Sequence, residues 1–190
     1  MMNLQHLLQD FFHLVANGIV EIYNEFSLQH EIGCYLRSVL SAEFKVQFER
    51  PTEFFGIAHR ALEKKEIDIV VFSGHKKVAI ELKFPRNGQY PEQMFKACQD
   101  IRFLEQLCDA GFEQGLFVMV ADDEGFYSPK RQNNGIYRFF RAGYPLRGSV
   151  RKPTGSQDHT LTFRGTYQIT WSPVRGRLRY ALVLVTQNSG

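Results

Sequence analysis

The chain is predicted to be an α/β protein: a mixed central sheet flanked by helices, in the order αβββαβ, with a basic β-rich C-terminal extension. Three observations predict it. The runs 44–49, 66–73 and 76–83 alternate apolar and polar residues and read as strands, the last two joined as a hairpin. A helical pattern from Pro91 to Gly111 then leads into the continuously apolar run Gly115–Ala121, the pattern of a strand buried on both faces and paired in parallel. Finally, charge divides along the chain. Residues 1–125 carry 12 Lys and Arg against 19 Asp and Glu, a net −7, whereas residues 126–190 carry 11 against Asp158 alone, a net +10. Such a split suggests a polyanionic partner for the second part.

The 190 residues suit a single domain spanning 1–190, with a core over about 25–121 and the extension over about 125–190. No apolar run is long enough to span a membrane, and the N-terminus lacks a secretory pattern. Cys34, Cys98 and Cys108 have no zinc-type spacing and read as reduced core thiols. A cytoplasmic location and no membrane partner are expected.

Residues 3–24 are helical by pattern, through Leu4, Leu7, Leu8, Phe11, Leu14 and Val15, with Asn17-Gly18 positioned to kink or end the helix. A second helix is expected from Ser27, as N-cap, to Leu40, burying Leu28, Ile32, Tyr35, Leu36 and Val39. Arg50-Pro51 ends the first strand. Thr52–Gly56 reads as a loop, and Ala58–Lys65 as either a helical turn or an extension of the next strand. The third helix buries Met94, Cys98, Ile101, Leu104 and Cys108, with Gln93, Lys96, Gln99 and Asp100 on its polar borders. In the extension, Ile136–Arg141 reads as a short helix and Pro145–Gln157 as a basic loop. Thr160–Trp171 and Leu178–Thr186 read as strands joined by a turn at 172–177.

The chemistry points to the hairpin Glu66–Phe84. Gly74 supplies the positive φ of a two-residue loop, so Ser73 faces Lys76, Asp68 faces Glu81 and Glu66 faces Lys83. Glu81 and Lys83 are two apart and share Asp68's side of the sheet. Opposed carboxylates repel, and a hard divalent cation reverses that sign. A neighbouring ammonium can orient a metal-bound water. Glu31, at the margin of the second helix's buried stripe, can lean over the sheet as a third carboxylate. A solvated strand face of mixed charge is the plain alternative.

Glu31 on a leading helix, Asp68 on one strand and Glu81-Leu82-Lys83 on the next, followed by a helix and a strand, resemble the PD-(D/E)XK nuclease superfamily, the restriction-endonuclease-like fold. The resemblance covers residues 25–121, and Ile67 stands where many members have proline. It implies Mg²⁺-dependent hydrolysis of phosphodiester bonds, with Mn²⁺ as a substitute and DNA as the expected substrate, in an endonuclease of restriction, repair or defence type. Asp68, Glu81 and Glu31 would hold the metal and Lys83 would serve the attacking water. Gln93 or Gln99 would take the place of a supporting Gln on the following helix. Lys130, Arg131, Arg138, Arg141, Arg147, Arg151, Lys152, Arg175, Arg177 and Arg179 would track the phosphate backbone, and Phe139, Phe140 and Tyr144 could stack on bases. The alternatives are a non-catalytic nucleic-acid binder and a partner-activated subunit keeping the same fold. A homodimer or a place in a larger complex fits either.

Overall fold

A six-stranded mixed sheet organises the chain. Its spatial order is Lys45–Pro51 (β1), Glu66–Ser73 (β2), Lys76–Lys83 (β3), Gln114–Ala121 (β4), Arg179–Thr186 (β8) and Trp171–Pro173 (β7). The computed structural model describes residues 3–187 other than 59, 61, 87, 156 and 157. Strand β4 runs parallel to β3, and the other neighbours are antiparallel. The parallel pair requires a crossover, which the helix Tyr90–Asp109 (α3) supplies.

The two faces carry separate cores. Helices Leu4–Ala16 (α1) and Glu25–Val39 (α2) cover one, packing on Ile69, Val71, Ile80, Leu82, Leu116 and Val118. Helix α3 covers the other, against Val70, Ala79, Phe117 and Met119. Its outer side is covered in turn by Tyr137–Arg141 (α4) and the hairpin Leu146–Arg151 (β5) with Thr160–Tyr167 (β6). That second layer explains why α3 buries Phe95, Ala97, Phe103 and Leu107 beyond the single predicted stripe.

Several boundaries differ from the sequence reading. Helix α1 stops at Ala16, because Gly18 turns the chain with φ 72°. Helix α2 starts earlier than expected: Asn24 is the N-cap and Ser27 its N3 partner, in a reciprocal capping box. Thr52–Phe55 forms a 3-10 turn, and two residues of the ambiguous stretch 58–65, 59 and 61, lie outside the described residues. The basic loop expected over 145–157 contains strand β5, whose pattern is hidden because only Leu146 and Val150 are buried and a bulge falls between Leu146 and Gly148; residues 156 and 157 lie outside the described residues. The run expected as one strand to Trp171 is two, β6 and β7. Cys34 is exposed, unlike Cys98 and Cys108.

Helix α2 lies close to the sheet because Gly33 faces Phe48 of β1; a Cβ at Gly33 would come within 2.1 Å of the ring. Gly33→Val is therefore expected to cost about 1–3 kcal/mol through overpacking, read as a lowered Tm. The start of α2 and the end of β3 are tied directly, since Phe84 N–H donates to Glu25 Oε2 at 2.9 Å.

Candidate active site

The β2–β3 ladder pairs Ser73 with Lys76 and continues to Ile69 opposite Ile80. Beyond that point Asp68 and Glu81 are not simply opposed, as the hairpin register predicts. Their carboxylates replace the ladder: Asp68 N–H donates to Glu81 Oε1 at 3.2 Å, and Leu82 N–H donates to Asp68 Oδ2 at 2.7 Å. The strand alternation also breaks here. Ile67 belongs to the α3-side core and Ile69 to the α2-side core. On the other flank, β1 pairs Phe48 with Ile69 and Arg50 with Ile67, while Glu49 between them has φ 47°. A non-glycine residue in that region is strained, and such strain gathers at working sites.

The remaining oxygens of the pair meet one cation. Lys64 Nζ stands 3.0 Å from Asp68 Oδ1, in close contact with Glu81 Oε2, and 3.4 Å from Asp100 Oδ1. Lys83 Nζ approaches Asp100 Oδ2 at 3.4 Å and Glu25 Oε1 at 3.7 Å. Asp68, Glu81 and Lys83 thus belong to one network, linked through Lys64 and Asp100. Four carboxylates against two ammonium groups leave a formal charge of −2.

Burial sets the electrostatics. Glu81 is fully buried and Asp100 only 3% exposed. Burial pushes the Glu81 carboxyl well above the usual range, as does Asp68, while Lys64 opposes it. Burial raises Asp100 likewise, against Lys64 and Lys83. Burial works against the charge of both lysines, but Glu81, Asp100 and Asp68 outweigh it at Lys64, and Asp100 and Glu25 at Lys83, so both are raised and stay cationic. Asp100 Oδ2 is buried and accepts no hydrogen bond, its ion-pair contact being the Lys83 ammonium at 3.4 Å.

Glu31 does not join this network; its carboxylate meets His30 Nδ1 at 3.2 Å. The face of α2 that reaches the site carries Glu25 and Gln29, one helical turn apart. Gln29 Nε2 donates to the Asp68 carbonyl at 2.8 Å and to Glu49 Oε1 at 2.5 Å. Glu25, Phe26, Gln29, Glu49, Asp68 and Leu82 line a pocket at the edge of the cluster. Gln93 lines an adjoining cleft with Lys83, whereas Gln99 lies 3.5 Å from Glu63. Lys64, Glu25, Gln29 and Glu49 carry no local signal of their role. Only the Asn24/Ser27 capping pattern could have moved the start of α2 back to Glu25.

Among the described residues, no three His, Cys, Asp or Glu side chains stand together as a ready metal cage. The donor set fits a hard cation of the magnesium type nonetheless, because such an ion takes one or two carboxylates and completes its shell with water. Asp68 Oδ1 and Glu81 Oε2 present two oxygens to one point, now held by Lys64, and Asp100 Oδ1 lies 3.4 Å from the same ammonium.

The predicted nucleic-acid residues divide. Lys130, Arg131, Arg138, Arg147, Arg151, Arg175 and Arg177 are exposed. Lys152 is half-buried and pairs with Glu92 at 3.7 Å. Arg179 donates to the carbonyls of Gly176 and Leu178. Arg141 is a correction: it is buried, donates to the carbonyls of Gly125 and Gln132, and stacks on Tyr137. Phe139 and Phe140 are also buried in the core, leaving Tyr144 exposed. The turn bearing Arg175 and Arg177 lies at the sheet end where β3 finishes, because Lys83 pairs with Met119 and Ala121 with Arg179.

Against protein-family models the chain finds no match, and searches of curated proteins and of solved structures likewise find none. Among the described residues no helix is long and apolar enough to cross a membrane.

Proposed function

We propose that the chain is a metal-dependent nuclease of the PD-(D/E)XK type, hydrolysing phosphodiester bonds of nucleic acid, with DNA as the expected substrate and the cytoplasm as its compartment. The observation that carries the reading is the break in the β2–β3 ladder, where Asp68 and Glu81 turn their outer oxygens to one point beside Lys83 and Asp100. Asp68 and Glu81 would hold Mg²⁺ or Mn²⁺. Bound there, the ion supplies charge neutralisation at the phosphate and a more acidic water. Lys83 remains an ammonium, so it orients the attacking water and stabilises charge on the phosphate oxygens rather than accepting a proton. Asp100, 3.4 Å from Lys83, positions that ammonium.

Exposed Arg175 and Arg177, at the site's end of the sheet, suit the phosphate backbone. Replacing both with alanine is expected to weaken DNA binding and lower the salt slope by about 0.9 for each phosphate no longer neutralised. Arg141→Ala should leave that slope unchanged and lower the Tm. Fluorescence anisotropy across a salt series and a thermal melt read the two effects.

The second reading is a nucleic-acid binder, or a partner-activated subunit, that does not turn over on its own. Lys64 favours it, since it satisfies the acidic pair without a metal. Labelled DNA and RNA, single- and double-stranded, incubated with Mg²⁺, Mn²⁺ or EDTA, test the proposal. Cleavage that needs the metal supports it; binding without cleavage of any substrate supports the second reading.

A further inference from the structure

The four oxygens of the Asp68–Glu81 pair are all engaged, and in two different ways. Asp68 Oδ2 and Glu81 Oε1 accept backbone N–H groups that hold the distorted end of the hairpin together. Asp68 Oδ1 and Glu81 Oε2, the oxygens left for a ligand, are both taken by Lys64 Nζ. Any cation shared by these two carboxylates must use the oxygens that the ammonium now holds.

The two lysines of the network are mounted differently. Lys83 ends strand β3, and its direction is fixed by the sheet. Lys64 precedes β2, outside any helix or strand. Its neighbours are pinned, by Thr52 N–H to the Lys65 carbonyl at 2.9 Å and Glu63 N–H to Gln106 Oε1 at 2.9 Å. Its four-carbon stem therefore hangs from a fixed backbone and can swing without unfolding a strand. With Lys64 withdrawn, the formal charge of the network falls from −2 to −3, which favours a divalent ion over the single charge it replaces.

We propose that Lys64 is a built-in counterion of this site, occupying the place of the shared cation, so that Lys64 and a divalent metal bind Asp68 and Glu81 in alternation. This rests on the nuclease reading of the same residues and adds to it a residue that sets metal affinity. In the metal-free protein Lys64 keeps the Asp68 and Glu81 carboxylates from repelling one another; when the metal enters, the ammonium moves out toward solvent.

Calorimetric titration of Mn²⁺ into the full chain and into Lys64→Met, at one pH and ionic strength, tests it. The variant should bind Mn²⁺ roughly tenfold or more tightly, and in EDTA it should melt below the wild type, with Mn²⁺ raising its Tm by more. Unchanged or weaker binding by the variant, with the wild type binding, overturns the proposal and leaves the nuclease reading standing. Binding by neither protein overturns both. Should the variant fail to fold, the wild type decides: amine labelling of Lys64, followed by mass spectrometry, should rise when Mn²⁺ binds. Unaltered labelling at saturating Mn²⁺ contradicts the exchange.

Discussion

Lys83→Ala is expected to reduce metal-dependent cleavage of nucleic acid by roughly 10²–10³-fold, about 3–4 kcal/mol of transition-state stabilisation, with little effect on substrate binding. Lys83 is oriented by strand β3 and held between Asp100 and Glu25, so it is presented already in place and mostly out of water. A fixed cation in such a setting stabilises charge that develops in the transition state more than charge already on the substrate. The loss should therefore fall on kcat. Asp68→Ala should be at least as damaging, because it removes one of the two carboxylates proposed to hold the metal and also the acceptor of Leu82 N–H. Glu31→Ala is the matched control on α2 and should leave the rate near that of the wild type, since Glu31 meets His30 away from the cluster. Single-turnover kinetics with circular dichroism on each variant separate chemistry from folding. A Lys83→Ala protein that cuts at the wild-type rate would remove the lysine from the mechanism.

The largest stability effect is expected at Glu105, which fastens the C-terminal hairpin to the core. The side chain is fully buried on α3. It accepts from Gly165 N–H at 2.7 Å, Arg164 N–H at 3.0 Å, the Tyr167 hydroxyl at 2.7 Å and Arg102 Nη1 at 2.7 Å. Truncating one partner of such a network strands the others, so Glu105→Ala should cost about 3–5 kcal/mol. For a domain of this size that is roughly 6–20 °C in Tm at about 2–4 °C per kcal/mol.

Its pH dependence follows from the same contacts. Burial raises the Glu105 carboxyl, but the Tyr167, Gly165, Arg102 and Arg164 donors outweigh it, and the pKa is lowered. The folded value lies below the unfolded one of about 4.3. The contribution is therefore complete above that pH and is lost as pH falls through the folded value. Glu105→Gln should melt lower than the wild type at neutral pH, and the gap should narrow in acid. Glu81 and Asp100 shift in the opposite direction, but they are common to both proteins and cancel in the difference. A gap that stays constant into acid would show that the charge at Glu105 contributes nothing.

What the sequence made legible was whatever repeats at a fixed period. The β2–β3 hairpin could be read because apolar residues alternate on both sides of Gly74, and α3 and β4 because Pro91, Gly111 and a continuous apolar run mark them. That register brought Asp68, Glu81 and Lys83 to one end of the sheet. It could not show the break at Asp68, opposite which Glu49 of a separate strand takes a positive φ. Lys64 sits in a segment with no period, and its place is set by contacts distant in sequence, from Thr52 N–H to the Lys65 carbonyl and from Glu63 N–H to Gln106 of α3. A helix capped at Ser27 leaves Glu25 outside it and Glu31 as its acidic residue, whereas the cap at Asn24, three residues earlier, puts Glu25 in the first turn of α2. Arg141 and Phe140 look, in sequence, like the exposed basic and aromatic residues around them. Their burial comes from packing against the Gly125 turn and the outer face of α3.

The nuclease proposal stands on Asp68 and Glu81 sharing one hard cation beside Lys83. Anomalous diffraction from crystals grown at saturating Mn²⁺ tests it most directly. A manganese peak bonded to carboxylate oxygens of both residues is expected, with the Lys64 ammonium no longer between them. Full Mn²⁺ loading with no peak at this pair, and Lys64 still bridging Asp68 and Glu81, would contradict it.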